Sequence, residues 1–182
     1  MSGLQRGCDV IDTLNDRIGK AVAWAALAMV LLQFIVVVMR YVFGVGAIMM
    51  QEGVVYLHAV LFLLGAGYTL LHGGHVRVDI FYRDANPITK AWVDVIGVFV
   101  FLIPTAALVL WASWPYVATS WSVLEGSKET SGIHAVYLLK TAILAFAGLL
   151  FLQALSMAGR SWMVIRGLAA ETPEQTEDLH GA

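Results

Sequence analysis

Charge is what this sequence has least of. Eleven Lys and Arg and thirteen Asp and Glu occur in 182 residues, 13% in all, whereas 59% are apolar. A soluble domain carries about 25% charged and about 45–50% apolar residues, so the balance speaks against both a water-soluble domain and a disordered chain. There is no basic block, and a net charge of −2 makes nucleic acid a poor partner. A single cysteine, Cys8, allows no intramolecular disulfide and leaves the compartment unread.

The placement of the few charges decides the class. No Asp, Glu, Lys or Arg falls within 21–39, 53–76, 95–124 or 141–159, stretches of 19, 24, 30 and 19 residues. A bilayer core of about 30 Å needs roughly 20 residues of helix at about 1.5 Å each. The reading is an all-α integral membrane protein with four transmembrane helices. The connections and tails leave no room for a soluble domain. The first apolar run exceeds the ~7–15 residues of a signal-peptide core, and no A-x-A-like site follows it, so it is read as a retained helix.

Residues 1–19 form an N-terminal segment in which Leu4, Cys8, Ile11, Leu14 and Ile18 recur at spacings of three and four. That stripe fits a short amphipathic helix on the membrane surface; a frayed terminus is the alternative. The four-helix membrane domain covers 20–166, with helices expected at about 20–43, 53–71, 87–118 and 136–165. Asn86-Pro87 is a helix-start signal, because Asn accepts from free first-turn N–H groups and proline lacks a donor that would be unpaired there. Pro104 removes a backbone hydrogen bond and bends the third helix, and Pro115 marks a second bend or its end. Residues 167–182, acidic and nearly without apolar side chains, are expected to form a disordered cytoplasmic tail.

Orientation follows from Lys and Arg. With four spans the termini and the 72–90 connection share one side, which holds Arg6, Arg17, Lys20, Arg77, Arg83, Lys90, Arg160 and Arg166; the other holds Arg40, Lys128 and Lys140. Eight against three places both termini in the cytoplasm. Trp24, Trp92 and Trp162 mark the predicted cytoplasmic helix ends and Trp111, Trp114 and Trp121 the opposite ones, an aromatic belt at each interface.

Ionisable groups inside a membrane usually mark ion or substrate paths, and the four cores contain only His58. A haem would need a second axial histidine at matching depth on another helix, and His72, His75 and His134 all lie in connections. His58 is therefore read as hydrogen-bonded to a neighbouring helix. His72, His75 and Asp79 are of metal-ligand type, but Gly73-Gly74 argues against the helix that would bring them together. The alternation of His75, Arg77 and Asp79 with Val76, Val78 and Ile80 fits an ordered interfacial segment in which Arg77 and Asp79 pair with each other or with a partner. Arg40 and Glu52 bracket the connector between helices one and two, with two readings open: an ion pair that fixes the loop, or two separately solvated charges. Gln33, Thr69, Thr105, Ser113 and Gln153 are expected to make interhelical or backbone hydrogen bonds. Gly65/Thr69 and Ala154/Ala158 have the small-xxx-small spacing of close helix packing. No catalytic constellation, cofactor motif or metal set stands out, so the chain is not read as an enzyme.

Several pieces together carry a resemblance. Arg40-Tyr41-Val42-Phe43 closes helix one, Gln51-Glu52 opens helix two, and Phe62-Leu63-Leu64-Gly65-Ala66 lies within it. His75-Val76-Arg77-Val78-Asp79 with Ile80-Phe81-Tyr82 follows, then Ser120-Trp121 with Glu125 and Ser127, and Tyr137-Leu138-Leu139-Lys140. In this order on four helices, the sequence resembles the small membrane subunit, DctQ-type, of the tripartite ATP-independent periplasmic (TRAP) transporters, over nearly all of 20–165. It departs from many members in having Met49-Met50-Gln51-Glu52, with one carboxylate, before helix two. The resemblance implies an accessory subunit in the bacterial inner membrane, working with a large TRAP membrane subunit that carries organic acid and sodium, and with a periplasmic substrate-binding protein. It implies structural or docking roles for Arg40, Glu52, His75, Arg77 and Asp79. Two other readings remain at this stage: a haem-binding respiratory membrane anchor, and an independent four-helix exporter, which would need an intramembrane carboxylate where this chain has only Glu52 and Asp94 at the edges.

Overall fold

The computed structural model describes residues 3–75 and 85–168. It is all-α, with four helices long and apolar enough to cross a membrane: α1, Gly3–Tyr41; α2, Ile48–Leu71; α3, Pro87–Ser122; and α4, Val136–Ile165. Helix α4 has the expected bounds, and the other three are longer than expected. The largest difference is in α1, where 39 residues run unbroken from Gly3, about 58 Å at the usual rise. The expected division near residue 20 is absent. Residues 3–19 are the first turns of the spanning helix and pack on α4, so they do not form a separate surface helix.

Local chemistry explains the helix ends. Asn86, extended at φ −69° and ψ 158°, accepts a hydrogen bond from the Thr89 N–H at 2.7 Å, and Pro87 follows in the first turn. Helices α2 and α4 close on Gly73 and Gly167, both in the left-handed region. The next residues, Gly74 and Leu168, donate back to the Thr69 and Met163 carbonyls at 2.8 and 2.9 Å, which occupies acceptors that the helix end leaves open.

Two wide π-turns interrupt the α-helical winding, Val60–Leu64 in α2 and Val98–Leu102 in α3. The second stands just before Pro104. Proline has no N–H to donate and its ring crowds the carbonyl four residues back, so the helix widens there. Pro115 does not end α3, which continues to Ser122.

Helix α4 is the hub. It packs against α1, α2 and α3, whereas α3 touches no other helix among the described residues. The α1–α2 hairpin thus lies on one side of α4 and α3 on the other. Small residues make the contacts close: Ala142, Ala147, Ala154 and Ala158 of α4 and Ala106 of α3 are buried, with Val98 seated on Ala154 and Ala158. Thr69 donates to the Gly65 carbonyl at 3.0 Å, a bond within α2. Large apolar side chains point outwards: Phe34, Phe62, Phe101, Trp111 and Trp114 are each more than 60% exposed. Between helices in a membrane, lipid contact replaces a solvent-driven core, and close packing with polar contacts takes over.

Candidate functional site

At one end of the assembly, α1 and α4 meet through polar groups. Cys8, Asp12, Asn15 and Gly19, spaced by four, three and four, form the buried row of α1. Gln153, Ser156 and Arg160, spaced by three and four, face them from α4. One Asp12 oxygen accepts from Gln153 Nε2 at 2.9 Å and Ser156 Oγ at 2.6 Å. The other accepts from Arg160 Nε at 2.7 Å and also pairs with Arg160 Nη2. Arg160 reaches Asp9 as well, at 3.0 Å. Gln153 is held at both ends, because its Oε1 accepts from Asn15 Nδ2 at 2.8 Å. Asn15 Oδ1 has no donor and lies against Gly67 of α2, where a Cβ would come within 2.2 Å of it. Gly19 admits the Tyr68 ring in the same way. Beside this cluster Asp16 bonds Lys20 at 2.6 Å and lies 3.3 Å from His72 Nε2.

The expected apolar stripe forms the packed face only in part. Cys8 is buried and Ile11 and Ile18 are half-buried, but Leu4 and Leu14 are 49% and 42% exposed, and after Cys8 the buried row lies about one residue over. The reason is complementary chemistry: Asp12 meets a guanidinium and two further donors on α4 and Asn15 meets Gln153, so this small and polar row packs, whereas Arg6, Arg17 and Lys20 on the other side of the helix stay exposed. The spacing of Cys8, Asp12, Asn15 and Gly19, matched by that of Gln153, Ser156 and Arg160, is the signal that identifies this contact. Gln153 had been expected to bond between helices, and it does; Arg160 and Asp12 had not been singled out.

The opposite end is organised around Glu52, near the start of α2. Its carboxylate accepts from Ser127 Oγ and from the Ile133 N–H at 2.5 Å. It clamps the 123–135 loop between α3 and α4, and Gly132 passes so close that a Cβ there would lie 2.7 Å from Glu52 Oε1. Beside the clamp Glu125 pairs with Lys140 at 2.5 Å, and Lys140 Nζ sits 3.9 Å from the centre of the Tyr116 ring. Trp121 Nε1 donates to Thr141 Oγ1 at 2.8 Å and its ring meets Tyr137 edge-on at 4.7 Å. The Lys140 bond holds the Glu125 carboxyl below the usual carboxylate range.

The structure thus joins Glu52 to the 123–135 loop rather than to Arg40. Arg40 is exposed, with no ion-pair partner among the described residues, and Glu52 is taken by donors of fixed geometry, one of them a backbone N–H. Of the two readings of Arg40 and Glu52, the ion pair is replaced by that clamp. His75 is exposed next to the α2 end, and Arg77 and Asp79 lie outside the described residues. His58 stacks on Phe62 of its own helix at 4.4 Å instead of bonding a neighbouring helix. Ser120, Trp121, Glu125, Ser127, Tyr137 and Lys140, scattered in the sequence, come together at this one end.

In both clusters the carboxylates of Asp9, Asp12, Asp16, Glu52 and Glu125 are occupied by donors of the same chain. Such an arrangement fixes helices and a loop in place. No curated protein and no solved structure matches this chain. The family described as Tripartite ATP-independent periplasmic transporters, DctQ component, matches it over residues 29–163, from the middle of α1 almost to the end of α4. With four helices able to cross a membrane and a match over well over half its length, the chain belongs to the DctQ family: it is a small membrane subunit of a TRAP transporter, a transporter component and not an enzyme.

Proposed function

We propose that this subunit supports sodium-coupled uptake of an organic acid by holding the large TRAP membrane subunit in the inner membrane, without itself carrying substrate. TRAP systems combine a DctQ subunit with a large membrane subunit and a periplasmic binding protein, and those are the partners proposed here. One observation carries the reading: the chain's charged clusters sit at its two ends and are satisfied internally, while apolar surface on both sides of α4 stays open. A path for an organic anion needs cations or helix N-termini near mid-membrane. A scaffold needs internally braced helices and apolar faces for a partner and lipid.

The cytoplasmic side is proposed to be the end holding residues 8–16, His72 and 153–160, which contact one another. Eight of the eleven Lys and Arg belong to that side, as the charge bias of cytoplasmic loops requires. A test uses single cysteines in a Cys8→Ala background, in cells whose outer membrane admits a thiol reagent that cannot cross the inner one. Lys128→Cys labels and Leu168→Cys does not; the reverse pattern would overturn the orientation. A tag on this chain should retain the large subunit from detergent extracts of cells expressing both. Failure of that co-purification in several mild detergents would remove the scaffold reading.

A further inference from the structure

Helix α1 exposes one face along its length, and that face changes character at Trp24. On one side of Trp24 it is apolar: Leu27, Leu31, Phe34 and Ile35 are between 44% and 65% exposed. On the other side Arg6, Val10, Thr13, Arg17 and Lys20 follow at alternating spacings of four and three, all exposed, which places them on a single helical stripe. Trp24 itself is 72% exposed at the junction.

Two of the three acids of this helix are drawn away from that stripe, and the third engages only Lys20 of it. Asp9 and Asp12 bond Arg160 across the α4 contact, and Asp16 bonds Lys20 and His72. Arg6 and Arg17 are left without an ion-pair partner among the described residues. Two exposed guanidiniums, a tryptophan and a lipid-exposed apolar face therefore run in continuous order along one helix.

We infer that this stripe is a binding site for anionic phospholipid headgroups, with Arg17 on the lipid phosphate and Trp24 at the boundary between headgroups and acyl chains. Arg17 stands seven residues from Trp24, about 10 Å along the helix, a separation that the flexible arginine stem adjusts to headgroup depth. Guanidinium matches phosphate with paired N–H donors. Arg6 lies farther from the membrane and adds attraction over about a Debye length of 8–10 Å. Continuity with the apolar face favours lipid over a soluble polyanion, because only lipid offers phosphate and acyl chain in the same order as Arg17, Trp24 and Leu27. This inference is independent of the transport reading.

The test uses the full chain in phosphatidylcholine bilayers containing a small share of spin-labelled phosphatidylglycerol or, in parallel, spin-labelled phosphatidylcholine. Electron spin resonance reads the motionally restricted lipid. The anionic lipid is preferred severalfold, with an upper end of about fivefold for each guanidinium. The Arg6→Gln/Arg17→Gln variant and high salt bring the ratio close to unity, whereas Arg6→Lys/Arg17→Lys retains most of the preference. An unchanged thermal midpoint in the Gln variant shows that the loss is not unfolding, as expected where neither arginine has an ion-pair partner among the described residues. Absence of a preference, or a preference that survives the Gln pair, overturns the site. Loss of a co-purifying acidic protein from the Gln variant with lipid preference unchanged would assign the stripe to that protein and likewise overturn it.

Discussion

At the scale of single residues, Asp12 is the centre of the polar contact between α1 and α4. It binds Gln153, Ser156 and Arg160 at once while only 9% exposed. Removing one member of a buried pair costs up to about 3–5 kcal/mol when the other charge is left uncompensated; here Arg160 keeps Asp9, so the loss stays below that ceiling but includes the bonds to Gln153 and Ser156. Asp12→Ala should therefore lower the thermal midpoint of the detergent-purified chain sharply. Asp16→Ala, whose partner Lys20 is 68% exposed, should leave it nearly unchanged. Equal midpoints for the two variants would contradict this assignment. A second pair of variants tests the close approach of α1 to α2. Gly67→Ala drives a methyl group into Asn15 and should cost about 1–3 kcal/mol. Gly148→Ala meets nothing within 4 Å and should be neutral or add about 0.5–1 kcal/mol by removing a helix glycine; thermal denaturation of both reads the contrast. The asymmetry between these sites was not legible in the sequence. Asp12 and Asn15 look like solvated polar residues on an amphipathic segment until α4 supplies Arg160, Ser156 and Gln153, more than a hundred positions away.

At the scale of elements, the 123–135 loop shows what sequence can and cannot say. The existence of four helices and the Asn86-Pro87 start follow from charge-free runs and cap chemistry, which are local. The anchor of the loop is not local, because Glu52 reaches it from the start of another helix. Arg40, the nearer candidate in sequence, does not take that carboxylate. Glu52→Gln keeps the shape but weakens the charge-assisted bonds, so amide exchange at Ile133 should accelerate, whereas Arg40→Gln should leave it unchanged. The opposite ranking would restore the ion pair. Glu125 adds a pH dependence to the same loop. Its pKa is depressed in the folded protein, chiefly by the bond from Lys140. Its contribution is then fully present above the ordinary carboxylate range and is lost only as pH falls through the lower folded value. Isotope-edited carboxyl NMR should show Glu125 titrating on the acid side of an ordinary glutamate, and Lys140→Gln should move it back up. An ordinary value in the parent protein would remove the pair from the account.

At the scale of the whole molecule, the two polar ends and the open apolar flanks act together. The α1–α4 network fixes one end of the hub helix, and the Glu52 clamp fixes the other through the loop that enters it. Between them, α4 offers small residues to α1 and α3, and the large side chains are left outside. A membrane-protein sequence announces its spans plainly, because the bilayer allows little charge in them. It announces less about which faces pack, because lipid and protein interior are both apolar and the solvent-driven pattern of soluble helices no longer separates them. The proposed accessory function rests on that division: the braces are internal, and the free surface is proposed to meet lipid and a larger partner. Its most direct test is uptake by liposomes containing the purified large subunit, with the substrate-loaded binding protein outside and an inward sodium gradient, in the presence and absence of this chain. Sodium-driven uptake should require all components and fall to near background when this chain is omitted, and the chain alone should carry nothing. Uptake by this chain alone, or full uptake without it, would contradict the proposed role.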